Sequence, residues 1–584
     1  MAVARTRCVA LLGVRGRVVE VEADVGHGVA GTHFIGLLDT AISEARDRVR
    51  SALINSGFPW PDSRVTVSLF PASLPKRGST FDLAIAVAML AAARVIPAQR
   101  VAEPVFLGEL GLDGRVRPVR GVLPAVIAAA EAGVAMIVVP SLNAAEAALV
   151  PGLTVVPVVS VGELVEWLRA GDLHRLPVVA EAACLADGAD DREGPGPLDD
   201  SGLPADPDVL DDPDDGEEPD DEVAVGGKAA GGGKAAGGGK AAGDSSTSGG
   251  RSSRLILGGQ TQDFRGLDLR DVAGQPMGRK ALEVCAAGGH NLWMLGPPGS
   301  GKTMLAERLT TLLPPLPAEH ALEASAIHSV AGTLPPGRPL LTRPPFMAPH
   351  HSATMAAVVG GGSGSVVRPG AVSLAHRGVL FLDEAPEFST VVLESLRQPL
   401  ESGAVTIARA VGTVTFPARF MLVLAANPCP CGLQGTVGHP CRCTPAARRR
   451  YLARLSGPLL DRIDVKVRVG RATRAELLAD RRLAESSAVV AERVLQARER
   501  AAKRLSRTPW QSNAEVSSAA LHDEFRLPPQ VMAPLHRGLD LGTLSARGLD
   551  RVLRVAWTLS DLAGKDRPTE TETSAALALW LGAE

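Results

Sequence analysis

The sequence predicts an α/β protein with two folded regions joined by a tether, the second region being an α/β unit with a helical tail. Three observations predict it. Residues 291–313 read as an apolar strand, a glycine loop and a helix in succession. Further apolar strands recur at 378–382 and 420–425. Between Glu181 and Gly250 the composition changes abruptly to Asp, Pro, Gly, Lys and Ala. The 584 residues allow three or four domains, and 45% apolar content excludes a mainly disordered chain. The most apolar window, 119–140, is broken by Gly121, Pro124, Glu131 and Gly133, which argues against a membrane span. The opening residues lack a secretory signal core, and seven cysteines without one argue against a disulfide framework. These readings predict a cytoplasmic protein.

The first region, residues 1–180, reads as mixed α/β. Residues 18–25 alternate like a strand. Residues 40–56 form an amphipathic helix pattern with Ala41, Ala45, Val49 and Leu53 on one face. A strand at 65–69, a buried helix at 81–93, and a hairpin of 105–110 with 116–119 around Gly114 follow. A helix at 124–133 runs into a strand at 136–139.

Residues 181–254 read as a disordered linker. Segment 190–222 is rich in Asp and Pro, and 226–243 is the near-repeat GGKAAGGGKAAGGGKAAG. Such composition buries too little apolar surface to offset chain entropy. DSSTS at 244–248 matches an integrin-type metal pattern, but no apolar strand precedes it, so the match is chance.

The net charge of −3 hides a partition. Residues 181–250 carry 19 acidic and 4 basic residues, whereas 251–584 carry 40 basic and 29 acidic. A basic C-terminal half fits nucleic acid; the alternative is a solvated Arg-rich surface.

GPPGSGKT fills 296–303: Gly296, Pro297, Pro298, Gly299, Ser300, Gly301, Lys302 and Thr303. Strand, G-x-x-x-x-G-K-T and helix in this order form a phosphate-binding loop. Glycines let backbone N–H groups wrap phosphates at a helix N-terminus, Lys302 reaches the β- and γ-phosphates of ATP, and Thr303 ligates Mg²⁺. Asp383 and Glu384 end the strand at 378–382. Asp383 is expected to hold the Mg²⁺ and Glu384 to polarise the attacking water; an acidic helix cap would explain Asp383 alone.

Cys429, Cys431, Cys441 and Cys443 form C-x-C-x9-C-x-C. Four thiolates suit a structural Zn²⁺, with His439 able to replace one; free or redox-active thiols are the alternative. Cys8, Cys184 and Cys285 are scattered and read as unligated.

FIGLLDTAISEARDRVRSAL, SLPKRGSTFDLAIAVAML and FLGELGLDGRVRPVRGVLPA, within residues 5–170, resemble the Lon-protease-like domain that opens the Mg-chelatase-like ComM/YifB proteins. By that resemblance Thr80 falls where Lon has its serine and Leu123 where Lon has its lysine. Leucine cannot take a proton. Ser79 and Lys76 lie in one short loop without the required placement, so an inactive domain is expected.

Residues 255–584 resemble the AAA+ half of the same family. The resemblance implies that Asn427, after the strand at 420–425, is a sensor-1 residue contacting the γ-phosphate. Arg462, in LSGPLLDRIDVKV, takes the place of an arginine finger that reaches a neighbouring subunit. The alternative is an internal pair with Asp461 or Asp464. Arg547, in SARGLDRVLRVAWTLSDLAG, matches the sensor-2 arginine, leaving Arg551 and Arg554 solvent-facing or packed in the lid.

Two inserts narrow the branch. Residues 350–378 match a glycine-rich helix-2 insert, and 401–420 a hairpin that projects into a ring's channel. Arg409, near its turn, would then face DNA phosphates; a solvated arginine is the alternative. His350 and His351, being adjacent, read as structural. The family's arginine in this string is replaced by Met347.

The implied division is a Lon-protease-like domain (1–180), the linker (181–254), an AAA+ core with the four-cysteine insertion (255–470) and a helical lid (471–584). The implied function is an ATP-hydrolysing homo-hexameric motor on single-stranded or branched DNA, serving branch migration or unwinding in DNA uptake or recombination. The alternatives are a Mg-chelatase-type subunit driving metal insertion into a porphyrin, and a Lon-like protease.

Overall fold

In the computed structural model, alternating residues of the first region build a seven-stranded mixed sheet. The structure describes residues 3–36, 40–72, 74, 76, 78–170, 266–335, 337–362, 367–409, 412–434, 440–480 and 484–582. The expected linker, with Cys184 and DSSTS, lies outside the described residues, as does His439.

The strands are β1 (Val3–Leu12), β2 (Arg15–Gly26), β3 (Gly31–Ile35), β4 (Arg64–Phe70), β5 (Val105–Phe106), the short pair β6 (Glu109–Leu110) and β7 (Val116–Arg117), β8 (Met136–Pro140) and β9 (Thr154–Val158). The sheet order is β3-β4-β2-β1-β5-β8-β9. Helices α1 (Thr40–Asn55), α2 (Asp82–Ala92), α3 (Val122–Glu131), α4 (Ala144–Ala147) and α5 (Val161–Ala170) accompany it. Ala45, Val49 and Leu53 of α1 are buried, and every residue of α2 is buried. The side chain of Ala41 lies outside the described residues.

The expected hairpin is corrected. Val105–Phe106 joins the main sheet beside β1 and β8, and only β6 and β7 pair with each other. β1 went unanticipated because most of its buried residues are small: Ala4, Thr6, Cys8 and Ala10 give little apolar contrast around Arg5 and Arg7, with only Val9 larger.

The second region is a five-stranded sheet of order β11-β14-β17-β10-β18, all parallel. Its strands are β10 (Leu292–Leu295), β11 (Phe346–Met347), β14 (Val379–Leu382), β17 (Met421–Ala426) and β18 (Val465–Arg468). Two small hairpins, β12 (Gly360–Gly361) with β13 (Arg368–Pro369) and β15 (Ala404–Arg409) with β16 (Gly412–Pro417), lie in the inserts. β14 and β17 are buried along their whole length, as parallel strands covered on both faces are. Helices α6 (Pro276–Gly288) and α7 (Lys302–Leu312) flank the sheet, α8 (Ala318–Ala331) packs against α3 of the first region, and the last hundred residues are mostly helical.

Parallel register aligns the strand ends that matter. Leu295 pairs with Ala426, and Leu382 with Leu424. The loops after β10, β14 and β17 therefore open on one edge of the sheet, where doubly wound folds bind ligands.

The two regions touch through a few specific contacts. Gly121 N–H donates to Ser329 O at the end of α8 (3.1 Å). Glu146 accepts from Ser329 Oγ and from Leu123 N–H, the latter at 2.9 Å. A cavity of about 390 Å³ lies at this junction, lined by Ser79, Thr80, Glu109, Gly121, Arg368 and Val414 among others.

Candidate nucleotide site and neighbouring metal centre

The loop after β10 turns into α7 through Gly301, whose φ of +93° only glycine adopts without strain. Lys302, nearly buried, donates to Gly296 O (2.8 Å), Pro297 O (3.0 Å) and Asn427 Oδ1 (3.2 Å). Burial pulls its ammonium below the ordinary pKa, against the opposing pull of Asp383 and Glu384. Thr303 Oγ1 donates to Asp383 Oδ2 at 2.8 Å. The structure thus brings the glycine loop, Asp383 and Asn427 together at one strand edge. A hydroxyl and a carboxylate in contact, both oxygen donors, fit Mg²⁺.

Glu384 has a positive φ of +49°, strained for a residue with a side chain. Its N–H donates to Asp383 Oδ1 (2.9 Å), and its carboxylate lies 3.5 Å from His351 Nδ1. His351 was read as merely structural; the structure sets it against Glu384. His350 stacks on it at 4.1 Å between ring centroids and bonds Ser352 Oγ (2.8 Å). No sequence pattern links His351 to Glu384, because they meet only through the pairing of β11 with β14. Gln275 was also missed. Its Nε2 donates to Ser300 O (3.2 Å) and Gly470 O (2.6 Å), tying the loop to the segment after β18.

Arg462 and Arg547 lie elsewhere. Asp464 N–H bonds Asn291 O, and Asn291 N–H bonds Asp464 Oδ2 (3.0 Å), so this segment sits where β10 and β18 begin. The glycine loop follows the other end of β10, about 13 Å away at ~3.3 Å per residue. Arg462 pairs with Glu401 and donates to Pro458 O. The alternative reading, an internal pair with Asp461 or Asp464, is therefore not met. Asp461 faces the exposed Arg547 (3.8 Å), and buried Asp464 takes Arg551 (2.9 Å). Burial and the nearby Arg551, Arg397 and Arg547 lower the pKa of Arg462. Burial alone would raise Asp464, but Arg551 and His290 hold it well below the usual carboxylate range. Arg554 packs in the helical part, donating to Val516 O (2.8 Å).

The hairpin at 404–417 forms as expected. Val405, Ile407, Val414 and Phe416 are buried on one face, and Thr406, Ala408, Thr413 and Thr415 are exposed on the other. Arg409 ends β15; its side chain lies outside the described residues.

The four cysteines converge. Cys429 Sγ lies 3.4 Å from Cys431 Sγ and 3.6 Å from Cys441 Sγ, with 3.6 Å between the latter two. All four sulfurs, Cys443 included, lie within 4.8 Å of one another. Sulfurs at ~2.3 Å around a tetrahedral zinc are about 3.8 Å apart, so the cluster fits that ion. Cys8 and Cys285 are buried and apart from it.

In the first region Leu123 is fully buried. Ser79 Oγ donates to Glu109, and Lys76 Nζ to Pro71 O. Ser79 and Lys76 are thus each engaged elsewhere.

Among the described residues no helix is long and apolar enough to cross a membrane. The family described as magnesium chelatase, subunit ChlI, matches residues 268–477. Subunit ChlI of Mg-chelatase matches 21–143, and magnesium chelatase, subunit ChlI C-terminal, matches 484–579. An uncharacterized protein of Mycobacterium tuberculosis is 45% identical over 99% of this chain and 98% of its own. YifB of Escherichia coli is 37% identical over 97% of this chain and 94% of its own, and competence protein ComM of Haemophilus influenzae 35% over 97% and 95%. A Lon protease of Brucella suis is 30% identical over 25% of this chain. With its parallel P-loop sheet and near full-length identity to YifB and ComM, the chain belongs to the ComM/YifB family of Mg-chelatase-like AAA+ ATPases.

Proposed function

We propose that this ATPase is a ring-shaped motor, a homo-hexamer, that moves single-stranded or branched DNA during DNA uptake or recombination. The observation that carries the ATP chemistry is the 2.8 Å contact of Thr303 with Asp383, with Lys302 bonded to Asn427 beside it. Thr303 and Asp383 would hold Mg²⁺, which supplies charge neutralisation at the phosphate oxygens. Backbone N–H groups of the glycine loop bind the phosphates, and Lys302 leaves its carbonyl partners for them. Glu384 orients the attacking water, and Asn427 fixes the γ-phosphate.

Arg462 and Arg547 supply the argument for a ring. Both sit at the sheet edge remote from their own glycine loop, which supports the reading that they serve a neighbour's nucleotide. DNA is supported by the charge of the second region and by the hairpin that ends at Arg409. The name of one relative, a competence protein, supports the setting. The porphyrin-linked alternative is not favoured, because the relatives matched over nearly the full chain include ComM and YifB.

ATP turnover of the complete chain tests this. Single-stranded or forked DNA is expected to raise turnover, whereas a porphyrin or unfolded casein is not; stimulation by either of those without DNA stimulation contradicts the reading. Arg409→Ala is expected to bring DNA-stimulated turnover down towards the rate without DNA. Full stimulation in that variant would remove the hairpin from the DNA path.

The first region is proposed to be a scaffold without peptidase activity. Casein is expected to stay intact on incubation with the chain and ATP, as followed by gel electrophoresis. Cleavage that disappears in Ser79→Ala or Thr80→Ala would contradict this.

A further inference from the structure

The cysteine cluster abuts the nucleotide site as well as following it in sequence. Cys429 comes two residues after Asn427 and is buried. Gly432, with φ +71°, lies so close to the glycine loop that a Cβ there would fall 2.5 Å from Pro298 Cγ and 2.6 Å from Pro298 Cδ. The backbone of the cysteine loop therefore rests directly on the wall of the phosphate-binding loop.

Little else shapes the described residues of this segment. Its described residues between Asn427 and Thr444 belong to no strand or helix. Gly432 N–H bonds Cys429 O (2.9 Å). With its amide oriented to suit its neighbours, Gln434 donates to Pro428 O (3.0 Å) and accepts from Arg448 Nη1 (3.2 Å). Thr444 then caps the helix Pro445–Leu452, which returns buried Tyr451 to the backbone of Asn427. A loop whose described residues make so few bonds with one another keeps one conformation when a cross-link closes it.

We propose that the metal-bound cysteine loop braces the phosphate-binding loop through Gly432 and Pro298, so that nucleotide affinity depends on the metal. The inference rests on reading residues 296–303 as the nucleotide site. Four thiolates on one divalent ion fix Cys431, hence Gly432, hence the position of Pro298. Without the ion, Gly432 leaves Pro298 and the glycine loop loses a wall.

The test measures zinc by elemental analysis and the binding of a fluorescent, non-hydrolysable ATP analogue, both on the complete chain. The parent is expected to hold one zinc per chain and to bind the analogue. Cys431→Ser is expected to lose the zinc and bind roughly tenfold more weakly, the scale on which overpacked or unbraced sites lose affinity. Gly432→Asn is the discriminating variant, because asparagine tolerates a positive φ yet carries the Cβ that meets Pro298. It is expected to keep the zinc and still bind roughly tenfold more weakly.

Parental affinity in Gly432→Asn, with zinc retained, overturns the brace. So does parental affinity in zinc-free Cys431→Ser that unfolds at the parent's temperature. A zinc-free, reduced and folded parent overturns the metal, whereas a zinc-loaded parent that binds no nucleotide instead overturns the reading of residues 296–303.

Discussion

Glu384→Gln is expected to bind ATP and leave it uncut, whereas Lys302→Ala is expected to lose both binding and turnover. The two effects differ because the groups act at different moments. Lys302 sits inside the glycine loop, held by Gly296 O and Pro297 O where phosphates will lie. Removing it takes a buried positive charge from the ground state and the transition state alike. Glu384 lies outside the loop, on a strained backbone beside Asp383. Glutamine keeps its shape but cannot draw a proton from water, so binding survives and turnover falls by roughly 10²–10³-fold. Analogue binding and phosphate release, measured on both variants, check this. A Glu384→Gln enzyme with parental turnover would show that another group orients the water.

Arg462→Ala is expected to lower turnover by roughly 10³-fold, the scale of a lost arginine finger. The same variant is expected to recover part of the activity when mixed with Lys302→Ala subunits. Some junctions of a mixed ring then combine one intact arginine with one intact glycine loop. Within its own chain Arg462 is held by Glu401 and Pro458 O, and its Nε is buried without a hydrogen-bond partner among the described residues. On the proposed reading, a neighbour's phosphate would replace Glu401 as the partner of this guanidinium. Glu401→Gln, which weakens the stored pair, is therefore expected to retain turnover. If Arg462→Ala hydrolyses ATP normally, or if mixing restores nothing, the site is not shared between subunits.

The ATP half of this account was legible in the sequence because its chemistry constrains local residues. A loop that wraps phosphates needs Gly301 at positive φ, and the strands beside it, buried on both faces, must be apolar throughout. What the sequence hid are pairings between distant segments. Glu401 meets Arg462, His351 meets Glu384 and Gly432 meets Pro298 across 61, 33 and 134 positions of chain. No periodicity encodes such distances. The hairpin at 105–119 failed for a related reason. Val105–Phe106 looks continuous with Glu109–Leu110, but its neighbours in the sheet come from β1 and β8. The internal partners weighed as the alternative for Arg462 lay near it in sequence, and Asp461 and Asp464 serve Arg547 and Arg551 instead.

The central claim is that ATP hydrolysis by a ring of these chains moves DNA. A labelled four-way junction with homologous arms, incubated with the complete chain and ATP and followed by native electrophoresis, tests it most directly. The account predicts resolution into two duplexes that requires ATP, falls steeply as salt is raised, and is absent with Glu384→Gln. Junctions left intact at the parent's full ATPase rate, or resolved equally well by Glu384→Gln, would contradict it.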